Sequence, residues 1–260
     1  MALLNVRFFS PTLGMQTEMN VILPQANSSR SDGKIPVLFL YHGMSDDCSI
    51  WLRRTSVERY AEGNGLAIVM PSTGLSWYVN QKCLGNFGRY FDFFSQELPA
   101  TVRTLFPQIS ADREDNFVAG LSMGGYGAFN MAINASENFS AAASLSGAVD
   151  MAFRSKEKLQ DDPNPFWTDI FGNEEEFLGG QFDLAARAEW LKTSGKPIPR
   201  FYMWCGTEDF LYEQNISMRN KMQKLGYNLT YEESEGNHSW VYWDKKIRTV
   251  LDWLGFPPND

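Results

Sequence analysis

The chain has 260 residues, 43% of them hydrophobic, which is enough to bury the core of one large domain, and we expect a single domain over residues 1–260. Its net charge of −8, with lysine and arginine scattered along the chain, argues against a nucleic-acid partner, which needs a basic surface that neutralises phosphates. No apolar stretch approaches the ~20 residues of a membrane span, and the first residues lack the features of a secretory signal, so a cytoplasmic protein without a membrane partner is expected.

The chain opens with a predicted hairpin, followed by a buried strand. Extended segments at 6–10 and 15–23 flank a turn that contains proline and glycine, which is typical of a hairpin. An almost unbroken apolar run at 35–41 predicts a strand that is covered on both faces. Thr55 and Glu58 have the spacing of a capping box, so a helix should begin there.

The following segments continue to alternate between strands and helices. Residues 66–70 predict a buried strand, and apolar residues recur at helical spacing over 89–106, where Pro99 should kink the helix or begin its second part. The later predicted elements are strands at 141–146, 200–205 and 228–232 and helices at 217–225 and 240–254. This alternation implies an α/β fold with a mainly parallel central sheet and helices on both faces.

One serine stands on a short turn between an apolar strand at 117–119 and a glycine-rich helix. In the sequence Gly-Leu-Ser-Met-Gly, Gly120 and Gly124 flank Ser122 two positions away on each side, where a Cβ would strike the neighbouring strand or helix. Such a turn holds the Ser122 hydroxyl clear of the backbone, and the start of the following helix directs N–H groups toward an oxyanion beside it. We therefore predict that Ser122 is a nucleophile. A chance match in a glycine-rich loop is the alternative.

A serine nucleophile needs a base, and the base must be oriented by an acid. The chain has only two histidines. His42 lies upstream of the nucleophile and is better explained as a structural residue, so His238, in a loop after the last strand, is the predicted base. Asp209 is the predicted acid, because it follows a strand through a glycine turn and precedes the histidine; Glu208 is the second choice and Asp244 a distant third.

A second oxyanion donor is expected where the strand at 35–41 ends. Gly43 allows the backbone to turn there and to present an N–H group toward the serine. We assign the oxyanion hole provisionally to the N–H groups of Met44 and Met123. An ordinary glycine between a strand and a loop is the alternative.

Residues 150–199 mix charge, proline and aromatic side chains and hold only short helical candidates. We interpret them as a cap-like insertion above the carboxyl edge of the sheet. Aromatic residues in and near the insertion are candidate walls of a substrate pocket, although packing of the cap on itself is the commoner explanation. The candidate substrate-binding residues are Gly43, Trp77, Tyr78, Trp167 and Phe171.

Taken together, these segments resemble the α/β-hydrolase superfamily and, within it, the esterase D group, most of all the bacterial tributyrin esterases. The motifs that carry the resemblance are YHGMSDDCSIWLRRTSVERY at 41–60, AGLSMGGYGAF at 119–129, WCGTEDFLYEQN at 204–215 and GNHSWVYWDKKI at 236–247. The resemblance covers nearly the whole chain and implies a Ser122, Asp209, His238 triad in a homo-oligomer. The chain departs from S-formylglutathione hydrolases at Tyr126, where they typically have histidine.

The sequence thus predicts a serine carboxylesterase that acts on small-molecule esters with short acyl chains, from acetyl to butyryl. No metal or organic cofactor is implied, because the spacing of histidine, cysteine and acidic residues offers no ligand cluster. The alternatives are deacetylation of acylated sugars or xylan fragments, thioester hydrolysis, acyl transfer to an alcohol, and a non-catalytic binding protein on the same fold.

Overall fold

An eight-stranded sheet runs through the protein in the order β1-β2-β4-β3-β5-β6-β7-β8. The computed structural model describes residues 1–25, 32–155, 159 and 165–258. The strands are β1 Ala2–Ser10, β2 Met15–Leu23, β3 Val37–Tyr41, β4 Ala67–Pro71, β5 Asn116–Leu121, β6 Ala141–Leu145, β7 Arg200–Gly206 and β8 Leu229–Ser234. Strands β3 to β8 run parallel, and β2 pairs antiparallel with both β1 and β4. Each predicted strand is present.

Helices cover both faces of the sheet. The α-helices are α1 Ile50–Arg54, α2 Val57–Ala61, α3 Tyr90–Asp92, α4 Leu98–Leu105, α5 Met123–Asn134, α6 Phe166–Phe171, α7 Glu174–Phe177, α8 Leu184–Thr193, α9 Tyr212–Lys224 and α10 Trp240–Leu254. Short 3-10 turns occur at Gly85–Gly88, Arg113–Asp115 and Met151–Arg154. The predicted alternation of strands and helices is confirmed, and no helix among the described residues is long and apolar enough to span a membrane.

The central strands separate two apolar layers. Along β3, Val37, Phe39 and Tyr41 belong to the layer that contains side chains of α4, α5 and α9, whereas Leu38 and Leu40 belong to the layer that contains side chains of α1, α2 and α10. Successive side chains of a strand point to opposite faces, so an unbroken apolar run is what a strand buried on both faces requires. This packing fixes the carboxyl ends of the strands along one edge of the sheet.

The helix predicted over 89–106 is interrupted before its proline. A π-helical turn, Phe93–Glu97, separates α3 from α4, and Pro99 lies in the first turn of α4. Proline has no N–H to donate to the carbonyl four residues earlier. Asn138 supplies the missing donor, since its Nδ2 lies 2.7 Å from the Ser95 carbonyl oxygen.

The predicted capping box is wrong. The residue that precedes α2 is Ser56, and the Thr55 hydroxyl donates to the Trp51 carbonyl and accepts the Val57 N–H at 3.2 Å. The Ser56 N–H donates to Asp244 Oδ1 on α10 at 3.0 Å. A partner far along the chain therefore takes a donor that a local cap would otherwise satisfy.

The segment between β6 and β7 has two parts. Residues 156–158 and 160–164 of the predicted insertion lie outside the described residues. Helix α8 packs on α5, where Arg187 Nε donates to Asn134 Oδ1 at 2.7 Å, so α8 belongs to the layer that covers the sheet. Helix α6 instead contacts the loop after β4, through Trp167 and Trp77.

Candidate active site

Ser122 occupies a strained turn between β5 and α5. Its backbone angles are φ 53° and ψ −120°, outside the regions that side chains favour. A Cβ on Gly120 would overlap the Gly124 carbonyl, and one on Gly124 would lie 2.5 Å from the Tyr41 carbonyl oxygen. The turn can be this tight only because the residues two positions before and two positions after Ser122 are both glycine. It is braced by the Ser122 N–H, which donates to the Leu145 carbonyl at 3.0 Å.

The three side chains predicted as a triad lie in one hydrogen-bonded chain. His238 Nε2 is 3.0 Å from Ser122 Oγ, and His238 Nδ1 is 2.8 Å from Asp209 Oδ2 and 3.1 Å from Oδ1. A carboxylate can only accept, so Nδ1 carries the proton. Nε2 is then left as the acceptor for the Ser122 hydroxyl, which is the arrangement needed to remove its proton.

The side chains in this hydrogen-bonded set differ in how far they are buried. The Asp209 side chain is fully buried, whereas 19% of the His238 side chain is exposed. The Leu211 N–H donates to Asp209 Oδ1 at 2.8 Å, so the carboxylate is held from two sides. A buried carboxylate with fixed partners keeps the imidazole in one orientation and stabilises the imidazolium when it forms.

The two other acids considered from the sequence lie elsewhere. Glu208 accepts the Gly236 N–H and a hydrogen bond from the Thr207 hydroxyl, which ties the loop after β7 to the histidine loop. These two bonds hold the pKa of Glu208 below its ordinary value. Asp244 accepts the Tyr60 hydroxyl at 3.0 Å and thereby joins α10 to α2.

The loop after β3 orients one peptide group beside the serine. A Cβ on Gly43 would lie 3.6 Å from Ser122 Cβ. The Gly43 carbonyl accepts from His42 Nδ1 at 2.7 Å and from the Asp46 N–H at 3.4 Å. Two donors thus hold this carbonyl. The Gly43 carbonyl and the Met44 N–H belong to one planar peptide group and point in opposite directions. Holding the carbonyl therefore also fixes the direction of the Met44 N–H.

Both predicted oxyanion donors have N–H groups that remain available. Among the residues that the structure describes, no hydrogen bond takes the N–H of Met44 or of Met123. Met123 is the first residue of α5, where N–H groups lack an intrahelical partner and the helix dipole favours negative charge. An oxyanion hole needs unpaired N–H groups of this kind, and the assignment of Met44 and Met123 to it stays a prediction.

His42 is buried and holds the same loop from behind. Its Nε2 accepts the Thr73 N–H at 3.1 Å, so its Nδ1 is the protonated nitrogen that donates to the Gly43 carbonyl. The Tyr78 hydroxyl donates to the His42 carbonyl at 2.9 Å. Burial lowers the pKa of His42, which keeps the ring neutral.

His42→Asn is expected to flatten the pH dependence of stability. The folded protein keeps His42 neutral, while the unfolded chain takes up a proton as the pH falls below about 6.5. The stability gained from the neutral ring is therefore present above pH ~6.5 and is lost as the pH falls toward the folded pKa, with a slope of at most ~1.4 kcal/mol per pH unit. Asparagine retains a donor for Gly43 and cannot titrate.

Urea unfolding between about pH 5 and pH 8 measures this difference as the free energy of unfolding against pH. The absolute stability of the variant should also fall, because the buried Thr73 N–H loses its acceptor, at a cost of about 1–3 kcal/mol. This loss shifts the whole curve and leaves its slope free to report the titration. Parallel curves for the two proteins would contradict the prediction.

Of the aromatic residues predicted as pocket walls, Trp77 and Phe171 are buried and form one cluster with the half-buried Trp167. The Trp77 ring lies 5.7 Å from Tyr126, 5.0 Å from Trp167 and 5.6 Å from Phe171, measured between ring centroids. Tyr78 has no exposed surface and stacks on Tyr41 at 4.6 Å. The structure therefore gives Tyr78 a supporting position behind the β3 loop, whereas the cluster around Trp77 packs against Tyr126 of α5.

A second group of aromatic rings surrounds His238, and the sequence reasoning missed it. Phe210 lies 4.5 Å and Trp243 4.8 Å from the imidazole centroid. The Trp243 ring also packs against Trp240, which in turn contacts Trp51. Phe210 could have been noticed as the neighbour of the predicted acid. The Trp243 contact depends on how α10 packs, and no local pattern reports it.

Comparison with known proteins gives consistent results. The family model described as "Putative esterase" matches residues 10–254. An acetyl esterase of Caldicellulosiruptor saccharolyticus is 29% identical over 270 residues, 98% of each chain. Among solved structures, a Staphylococcus aureus fluorophosphonate-binding serine hydrolase, FphF, has a TM-score of 0.86 at 32% identity and covers 100% of this chain and 99% of its own. The S-formylglutathione hydrolase FrmB of the same organism has a TM-score of 0.84 at 32% identity over 97% and 98%.

Proposed function

Because the chain belongs to the esterase family, with the α/β-hydrolase fold of a serine ester hydrolase, we propose that it hydrolyses esters of short-chain acids, from acetyl to butyryl, through Ser122, His238 and Asp209. The observation that carries this proposal is the hydrogen-bonded chain in which His238 lies 3.0 Å from Ser122 Oγ and 2.8 Å from Asp209. An acid, a base and a hydroxyl in this order are what serine acyl transfer requires.

In the proposed acylation step, Ser122 Oγ attacks the ester carbonyl while His238 Nε2 takes its proton. The N–H groups of Met44 and Met123 bind the oxygen that becomes negative, and buried Asp209 stabilises the imidazolium. The tetrahedral intermediate collapses when the bond to the leaving oxygen breaks and His238 returns the proton to that oxygen. The products of this step are the free alcohol and the acyl-enzyme.

In the proposed deacylation step, water replaces the alcohol. His238 removes a proton from the water, which attacks the acyl carbonyl, and the same two N–H groups hold the oxyanion. The bond to Ser122 Oγ then breaks, and the proton held by His238 returns to the serine. The acid is released and the enzyme regains its starting state.

A short acyl chain is supported by the packing beside α5. Trp77, Tyr126 and Phe171 contact one another and are at most 5% exposed. The Tyr126 hydroxyl is fixed by the Phe182 carbonyl at 2.8 Å, so this cluster cannot yield easily to a long chain. We take the described part of the insertion before α8 as the partial cap, because α6 supplies Phe171 and covers Trp77.

Hydrolysis of p-nitrophenyl esters from acetyl to octanoyl tests the proposed acyl preference. We expect kcat/KM to peak at acetyl or butyryl and to fall roughly tenfold or more by octanoyl, since each misplaced methylene is worth about 1–3 kcal/mol. The leaving group is the same throughout the series, so the comparison isolates the acyl chain. A rise toward octanoyl would contradict the short pocket.

Thioester hydrolysis is a second candidate, favoured by the 32% identity to the S. aureus S-formylglutathione hydrolase. The same serine, histidine and oxyanion groups could act on a thioester, so the substrates must be compared directly. S-formylglutathione measured beside p-nitrophenyl acetate separates the two proposals. A kcat/KM at least roughly 100-fold higher for the thioester, about 2.7 kcal/mol in transition-state binding, would favour the second.

A further inference from the structure

An exposed aromatic ring lies directly on the imidazole of His238. Phe210 is 68% exposed, yet its ring centroid is 4.5 Å from that of the imidazole, with 50° between the ring planes. The second neighbour of the imidazole, Trp243, is 4% exposed and meets it edge-on at 87°. The two rings therefore differ in kind: Trp243 is part of the core, and Phe210 leaves most of its surface open.

The position of Phe210 is fixed by the backbone around the acid. The Asp209 N–H donates to the Gly206 carbonyl at 3.1 Å, and the Leu211 N–H donates to Asp209 Oδ1 at 2.8 Å. Residues on both sides of Phe210 are thus held, and Leu211 is itself buried. Other large apolar side chains are exposed as well, and Phe210 is distinguished from them by its contact with the imidazole of the proposed base.

The chemistry of the proposed reaction decides which part of a substrate meets this ring. During acylation the leaving oxygen must come within about 2.6–3.2 Å of His238 Nε2, because it takes its proton there. The carbonyl oxygen lies instead at the N–H groups of Met44 and Met123. The group attached to the leaving oxygen therefore passes beside the imidazole, where Phe210 offers an exposed apolar surface.

We propose that Phe210 forms the wall of the subsite for the leaving alcohol and favours esters whose alcohol carries a flat apolar group next to the ester oxygen. This inference rests on the proposed function. In the step concerned, the bond from Ser122 Oγ to the acyl carbon forms, the bond from that carbon to the leaving oxygen breaks, and the proton on His238 Nε2 passes to the departing oxygen. Contact with Phe210 stabilises the transition state of this step alone, because the alcohol has left before deacylation.

Three acetates with one acyl group and different alcohols test the proposal: 2-naphthyl, phenyl and ethyl acetate. Phe210→Ala is expected to lower kcat/KM about tenfold for 2-naphthyl acetate, less for phenyl acetate and less than about twofold for ethyl acetate; a tenfold loss corresponds to an aromatic contact of about 1.4 kcal/mol. Phe210→Leu should fall between alanine and the wild type. All three substrates give the same acetyl-enzyme. Phe210→Ala should therefore hydrolyse this intermediate at the wild-type rate, measured after the burst of released alcohol that forms it.

Phe87→Ala is the matched control. Phe87 is 62% exposed, close to the exposure of Phe210, but packs against Gly14 in the β1–β2 hairpin, and its loss should leave all three rates unchanged. An equal fall for all three acetates, or slower breakdown of the acetyl-enzyme, would show that Phe210 acts only by holding His238 and would overturn the inference. Unchanged rates would overturn it too. If the wild type hydrolyses no acetate at all, the proposed function falls and takes this inference with it.

Discussion

Ser122→Ala is expected to lower kcat for p-nitrophenyl acetate by about six orders of magnitude, the scale found when the nucleophile of a serine triad is removed. Alanine fits the turn without new strain, because the φ of 53° already carries a Cβ in the wild type. The N–H groups of Met44 and Met123 remain, so a small residual rate above the reaction in water should persist. Stopped assays at high enzyme concentration are needed to measure it.

Ser146→Ala is a matched control for this experiment. Ser146 follows β6 as Ser122 follows β5, is buried, and also has a positive φ, 47°. Its loss should change kcat by less than about threefold, and a fluorophosphonate probe should label it as it labels the wild type, whereas Ser122→Ala should not be labelled. Activity or labelling retained in Ser122→Ala would mean that another group is the nucleophile, and the proposed mechanism would fall.

The sequence predicted the fold well because inner strands such as β3 and β4 are unbroken apolar runs. The apolar run at 35–41 was enough to predict a strand without knowledge of its neighbours, since a strand buried on both faces is apolar along its whole length. The prediction failed where a distant partner decides the local structure. At Ser56 the N–H group goes to Asp244, 188 residues away, and the expected capping box is not formed.

In the candidate site, too, the features set by local sequence could be predicted and those set by distant residues could not. Ser122 could be located from its flanking glycines, which record how closely β5, α5 and the β3 loop approach one another. His238 and Asp209 followed from the rule that loops at the carboxyl ends of parallel strands converge. The sequence could not predict the rings around the imidazole or the His42 ring that holds the Gly43 carbonyl. These depend on side-chain directions between elements far apart in the chain.

Asp209→Asn is expected to lower kcat about 10⁴-fold while leaving the fold intact. The Leu211 N–H, 2.8 Å from Asp209 Oδ1, needs an acceptor, so the asparagine oxygen should face Leu211 and its NH₂ group should face His238. An NH₂ group at this place forces the His238 proton from Nδ1 to Nε2. His238 could then no longer accept the proton of Ser122, 3.0 Å away.

Glu208→Gln separates this effect from a general loss of acidic charge near the site. Glu208 precedes Asp209, but its carboxylate accepts the Gly236 N–H, which a glutamine oxygen can also do. We expect kcat within about threefold of the wild type, as for a substitution that keeps the hydrogen bond and removes an exposed charge. Equal losses in the two variants would mean that charge, rather than the His238 tautomer, sets the rate. A large loss in Glu208→Gln alone would instead make Glu208 the acid, because only the residue that orients the base is needed at this scale.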